Sequence, residues 1–142
     1  PGNYALFDVF QASIGTCTQT DVALSVITEV IGNYQDRGCV LVDAGALAMS
    51  KDPGAVHVLS EQDFGVICDP VSQVPMPGIR LVGLSQEHGK VSMDSTRSGS
   101  LSLGDKLRVL PNHSCLVTAL YETIFVVQGT QVVDRWRPAR GW

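Results

Sequence analysis

The stretch DVALSVITEVI, Asp21 to Ile31, decides the fold class. Every second residue, Val22, Leu24, Val26, Thr28 and Val30, falls on one face of an extended chain, and most of these are β-branched. Branched side chains are stiff at χ1 and pack well on a pleated surface, so the stretch reads as a strand with one buried face, a helix being the weaker alternative. After the polar turn Asn33 to Gly38, Cys39 to Val42 is a short apolar strand.

Further on, Ala55 to Leu59 and Phe64 to Cys68 are expected strands separated by Ser60 to Asp63. The segment Asp69 to Gly78 holds Pro70, Pro75 and Pro77 and is a connection, because proline removes ladder donors. Ile79 to Ser85 and Lys90 to Met93 flank a tight turn, Gln86-Glu87-His88-Gly89, and Asp94 to Gly104 is a polar surface loop. Expected strands then follow at Lys106 to Leu110, Cys115 to Tyr121, Ile124 to Val127 and Gln131 to Trp136. The last two are joined by Gln128-Gly129-Thr130, the mark of a β-hairpin. Short strands at this frequency imply a mainly β fold, a barrel or sandwich of eight to ten strands. Asn3 to Ile14 suits a short helix or an extended entry segment equally.

At 142 residues the chain has the length of one domain, and 44% apolar against 17% charged residues excludes a disordered polymer. Ten basic and fourteen acidic residues give a net charge of −4 without a basic stripe, which argues against nucleic-acid binding. No apolar run approaches the roughly 20 residues of a bilayer span, and no secretory signal is visible, so the expectation is a soluble cytoplasmic protein with no membrane partner. Residue 1 is Pro rather than Met, which reads as the cut end of a longer protein.

Cys17, Cys39, Cys68 and Cys115 lack disulfide or C-x-x-C spacing. The first three are expected as small buried side chains inside strands. Cys115 differs, because it closes the segment Pro111-Asn112-His113-Ser114-Cys115. In a strand, side chains at i and i+2 share a face, so His113 and Cys115 could point at one ion, and imidazole plus thiolate is a donor pair that zinc accepts. The alternative is a packed His–Cys pair at a strand start. In Ser85-Gln86-Glu87-His88-Gly89, His88 is a candidate acid–base group tuned by Glu87, against a plain polar β-turn. His57, between valines, is expected to be structural. The chain has no G-x-S-x-G elbow, P-loop or G-x-G-x-x-G motif. Lys51, Lys90 and Lys106 sit by turns, so none is placed to form a Schiff base.

Four motifs together resemble one family. Pro1-Gly2-Asn3-Tyr4 with Asp8 and Gln11, Val42-Asp43-Ala44-Gly45 followed by Ser50-Lys51-Asp52, Ser85-x-Glu87-His88-Gly89, and Pro111-Asn112-His113-x-Cys115 stand in this order. The same order occurs in the C-terminal β domain of D-serine dehydratase and D-threonine aldolase-like enzymes, which are similar to alanine racemase and belong to the fold-type III pyridoxal phosphate enzymes. The resemblance covers nearly the whole of residues 1–142. It implies a separate N-terminal barrel that carries pyridoxal 5′-phosphate on a lysine, with residues 1–14 as the barrel exit.

It further implies a divalent metal, zinc, on His113 and Cys115, a homodimer, and a small D-amino-acid substrate. Gly2, Asn3 and Tyr4 would lie near the cofactor phosphate. The implied activity is that of a lyase, D-serine dehydration to pyruvate and ammonia or retro-aldol cleavage of D-threonine, to which this segment alone would contribute no turnover. Cysteine at position 115 favours zinc over harder, oxygen-seeking ions and hence the dehydratase. A non-catalytic dimerisation or binding module is the alternative of another class.

Overall fold

The alternation of the opening stretch becomes structure in β1, Val26–Tyr34, where Val26, Thr28 and Val30 are buried while Ile27 and Ile31 face outward. A computed structural model of the chain describes residues 3–58 and 63–140, with the Gln35 side chain left out. Around β1 the strands β2 (Cys39–Val42), β3 (Val66–Cys68), β4 (Ile79–Leu84), β5 (Gly89–Met93) and β6 (Lys106–Leu110) form one antiparallel sheet in the order β3-β6-β1-β2-β5-β4. Extra residues in β1 at Val30/Gly32 and in β4 at Leu81/Gly83 shift the register, and such bulges bend and coil a strand.

The two outer strands of the order meet on the far side, where the Phe64 N–H donates to the Leu81 carbonyl at 2.9 Å. The sheet is therefore a nearly closed barrel rather than a sandwich, and Val40, Val42, Leu81, Val91, Leu107 and Val109 fill its interior at 0–1% exposure. Arg108 is also buried, with its guanidinium on the Pro70 carbonyl at 2.9 and 3.2 Å and on the Ser25 hydroxyl at 2.5 Å, so it lashes the proline-rich connection to the barrel wall.

A separate hairpin follows, β7 (Ile124–Gln128) and β8 (Gln131–Trp136), turning at Gly129 with φ +60°. Every residue of β8 is exposed. Both strands start where the alternation predicts.

Four expectations need correction. The strand expected from Asp21 starts only at Val26, because Gln19–Asp21 is a 3-10 turn whose Asp21 carboxylate takes the Thr18 amide and hydroxyl. Ala55 to Val58 is a turn closed by the Val58 N–H on the Ala55 carbonyl, and Leu59 lies outside the described residues. Cys115 to Tyr121 is not a strand: Ser114–Leu120 is a helix, α3, which buries Ser114 and Val117 at helical spacing i, i+3. Cys39 and Cys68 are buried in strands as expected, but Cys17 is only half-buried in a loop.

The ambiguous amino-terminal segment resolves into a 3-10 turn, Asn3–Ala5, and a short helix, α1 (Val9–Ser13). A further single turn, α2 (Ala46–Met49), follows β2. Among the described residues no helix is long and apolar enough to cross a membrane.

Candidate metal centre

The pairing Val26↔Val109 puts the start of β1 beside the end of β6, and Val42↔Gly89 puts the end of β2 beside the β4–β5 turn. Val66↔Leu110 brings the start of β3 to the same end. One rim of the barrel therefore receives every motif singled out in the sequence, although they span residues 3 to 115.

The segment Pro111 to Cys115 leaves β6 there and is held from two sides. From the amino-terminal side, Val9 N–H donates to the Pro111 carbonyl at 3.0 Å and Phe10 N–H to the Asn112 carbonyl at 3.3 Å. Asp8 caps α1 through the Gln11 amide and also accepts the Ser114 amide at 2.9 Å. From the other side, buried Asn112 donates to the Asp63 carbonyl at 2.7 Å and to the Asp52 carbonyl at 3.2 Å. A buried amide that satisfies two main-chain carbonyls fixes both segments at once.

His113 stands at the N-cap of α3, and its Nδ1 lies 2.9 Å from Asp52 Oδ2. Asp52 is itself oriented by accepting the Gly54 N–H at 2.7 Å on its other oxygen. Partial burial pushes the Asp52 carboxyl up, but the His113 hydrogen bond, the Gly54 amide and the imidazole charge outweigh it and hold the group below the ordinary carboxylate range. An ionised carboxylate accepts a hydrogen bond from Nδ1–H, and in the neutral ring that tautomer leaves the lone pair on Nε2. The imidazole is 37% exposed, and the Cys115 thiol, two residues on in the first turn of α3, is free and exposed.

The donor set suits a borderline-soft divalent ion: a carboxylate-oriented imidazole and an accessible thiol. Among the described residues no three His, Cys, Asp or Glu side chains are grouped to hold an ion, and His113 and Cys115 are the two candidate donors on this turn. The strand geometry expected to align His113 and Cys115 does not occur. Ser114–Leu120 is helical instead, and at the start of a helix side chains two positions apart do not share a face.

The remaining motifs form the adjacent part of the rim. The first amides of α2, Ala46 and Leu47, donate to the Ser85 and Gln86 carbonyls at 2.8 and 3.0 Å, so the β4–β5 turn caps this helix with its backbone. The approach is so close that a Cβ on Gly45 would lie 2.4 Å from the Glu87 carbonyl carbon and 2.5 Å from the His88 nitrogen. Asp43, at the end of this strand, is pushed up by burial but held below its usual range by the Thr28 hydroxyl at 2.5 Å and the Glu29 amide at 2.8 Å.

Comparison with known proteins fits this arrangement. Residues 23–127 match the serine dehydratase domain family, nearly three-quarters of the chain. The chain belongs to that family. Among relatives of this serine dehydratase domain, D-threo-3-hydroxyaspartate dehydratase of Delftia sp. (strain HT23) is 38% identical over 99% of the chain and 38% of its own length. Its solved structure superposes with a TM-score of 0.86. D-serine dehydratase of Dictyostelium discoideum is 32% identical over 100% of the chain and 36% of its own length. An alanine racemase-like protein of Idiomarina loihiensis, 28% identical over 99% of the chain and 38% of its own, gives a TM-score of 0.90.

The chain thus spans little more than a third of these relatives. Two solved variants of D-threo-3-hydroxyaspartate dehydratase carry a histidine-to-alanine change and, two positions on, a cysteine-to-alanine change in a metal-free form, at 35% and 36% identity to this chain.

Of the residues expected at the domain's site, His113 and Cys115 lie together on the rim. His88 sits in the exposed β4–β5 turn, its main-chain carbonyl taking the Ser85 amide at 2.8 Å. Asn3 donates its side-chain amide to Asp8 at 2.8 Å, while Tyr4 is 62% exposed and Gly2 lies outside the described residues. His57 is exposed on its turn, 6.0 Å from the Phe10 ring. Sequence reasoning recorded Asp52 and Asn112 as motif letters but missed their work. The readable signal was Asp52-Pro53-Gly54, the pattern of an Asx turn.

Proposed function

We propose that this chain is the C-terminal β domain of a pyridoxal phosphate- and zinc-dependent lyase that dehydrates small D-3-hydroxyamino acids, with D-serine as substrate. The observation that carries the proposal is the Asp52–His113 bond at 2.9 Å beside the exposed Cys115 thiol, on the rim where the family's motifs converge. The dehydratase names of the Delftia and Dictyostelium relatives support the reaction class. The metal-free cysteine variant of D-threo-3-hydroxyaspartate dehydratase supports the metal, since the residues substituted in it and in the separate histidine variant have the spacing of His113 and Cys115.

Bound at this turn, a divalent metal supplies a Lewis acid for the substrate hydroxyl, and pyridoxal phosphate supplies a sink for the electrons left at Cα. The chain's own residues prepare that chemistry. Asp52 holds the proton of His113 on Nδ1, so Nε2 remains a ligand and not a donor. Cys115 contributes a soft thiolate that prefers zinc to oxygen-seeking ions. Tyr4, exposed on the amino-terminal turn, would serve the cofactor phosphate, whereas one donor of Asn3 already serves Asp8. The proposed assembly is a cytoplasmic homodimer.

The test is product identification with the intact protein. Pyruvate and ammonia from D-serine, lost on treatment with a chelator and restored by zinc, are expected. Glycine and acetaldehyde from D-threonine without dehydration would replace the reaction by aldol cleavage, and turnover of neither substrate would overturn the proposal.

A further inference from the structure

Asp8 is fully buried, and the function above gives it no part. Both of its oxygens are engaged: Oδ1 accepts the Gln11 N–H at 2.9 Å, and Oδ2 accepts the Asn3 amide at 2.8 Å and the Ser114 N–H at 2.9 Å. Capping α1 needs only the first of these, and Ser, Thr or Asn would serve there as well. The second oxygen reaches across 106 positions to the amide that lies between His113 and Cys115.

The N-cap residue of a helix ordinarily bonds an amide of the first turn with its own side chain. At α3 that residue is His113, which makes no such bond because its ring is turned to Asp52. An ionised acceptor makes shorter and stronger bonds to N–H groups than a neutral one, and Asp8 brings such an acceptor to the start of α3 from outside the helix. We propose that Asp8 is a positioning residue for the ligand turn: it gives the first amide of α3, one that an N-cap side chain does not serve, an acceptor from outside the helix and so fixes the amide between the two ligands. This rests on the metal role of His113 and Cys115 proposed above.

The test titrates cobalt(II) into intact metal-free protein and follows the thiolate-to-cobalt absorption, with amide exchange at Ser114 measured beforehand. Asp8→Ala is expected to speed Ser114 exchange, weaken cobalt binding ~10-fold and alter the absorption, as loss of a residue supporting a ligand does. Asp8→Asn keeps the shape and thus the fold but sets an NH₂ group against one of the amides, and it should fall between wild type and Asp8→Ala. Val91→Ala, in the barrel interior, should lower Tm and leave cobalt binding unchanged.

Unchanged affinity and absorption in both Asp8 variants would overturn the positioning role alone. So would an equal weakening by Val91→Ala, which would mark the effect as general destabilisation. Wild-type protein that binds no cobalt, or binds it equally after His113→Ala and Cys115→Ala, would overturn the metal role and this inference with it.

Discussion

The two rims of the barrel are closed by different means. On the rim without the motifs, loops are tied mainly by carboxylates to their own neighbours: Asp69 takes the Val71 and Ser72 amides, Asp94 the Thr96 and Arg97 amides, and Asp105 the Ser102 amide. On the motif rim the bonds join distant segments, Ser114 to Asp8, His113 to Asp52 and Asn112 to Asp63. A loop closed by its own residues can change without moving anything else. A rim closed across the chain keeps its shape only while all its segments are present, which is what the proposed metal site would require.

The sharpest way to break this contrast is Gly45→Ala. The new Cβ would meet backbone atoms of the β4–β5 turn that have nowhere to go, so the expected cost is about 3 kcal/mol or more, read as a large fall in Tm. Asn112→Ala comes next. It leaves the Asp52 and Asp63 carbonyls without their buried donor and should cost about 2 kcal/mol in denaturant unfolding while also weakening zinc binding.

Asp52→Ala should have a smaller effect on stability, because the pair is partly exposed, but it should lower zinc affinity ~10-fold by releasing the His113 ring. On the opposite rim, Asp94→Ala should reduce Tm by less than Gly45→Ala does and leave zinc affinity as it is. Equal loss of zinc affinity from both rims would erase the distinction.

The smallest expected effect is in acid. Asp94 is lowered first by the Thr96 hydroxyl, and Asp69 first by the Ser72 amide, while the bonds to Asp43 outweigh its burial. Carboxyls depressed in the fold take up protons more readily when unfolded. Their stabilisation is therefore complete above the ordinary value of about 3.9 and is lost as pH falls through the lower folded values. Thermal unfolding followed from pH 6 to pH 2 should show a flat Tm down to about 4 and a decline below it. Asp43→Asn should make that decline shallower.

The same contrast explains what the sequence disclosed. Lys106 to Val109 alternates charged and apolar residues, and Ile124–Gln128 and Gln131–Trp136 flank a turn with Gly129, so these strands are readable from neighbours. Cys115 to Tyr121 misled because Val117 and Thr118 favour strands. The first amide of α3 is held by Asp8, more than a hundred positions away, a contact no local pattern discloses. Ala55 to Val58 failed likewise, since the preceding Gly54, at φ +70°, packs on Asn112 and turns the chain. The candidate residues His113 and Cys115 were legible as residue types at a short spacing, but their geometry was not. The carboxylates that hold the His113 ring and the Ser114 amide, Asp52 and Asp8, lie in other motifs.

The most direct measurement is the zinc content of intact protein purified without chelator, compared with His113→Ala and Cys115→Ala. About one zinc per chain in the wild type and near zero in both variants, with Tm little changed, is the expected result. Wild-type protein without zinc in the presence of excess metal, or variants that keep it, would contradict a metal centre on this rim.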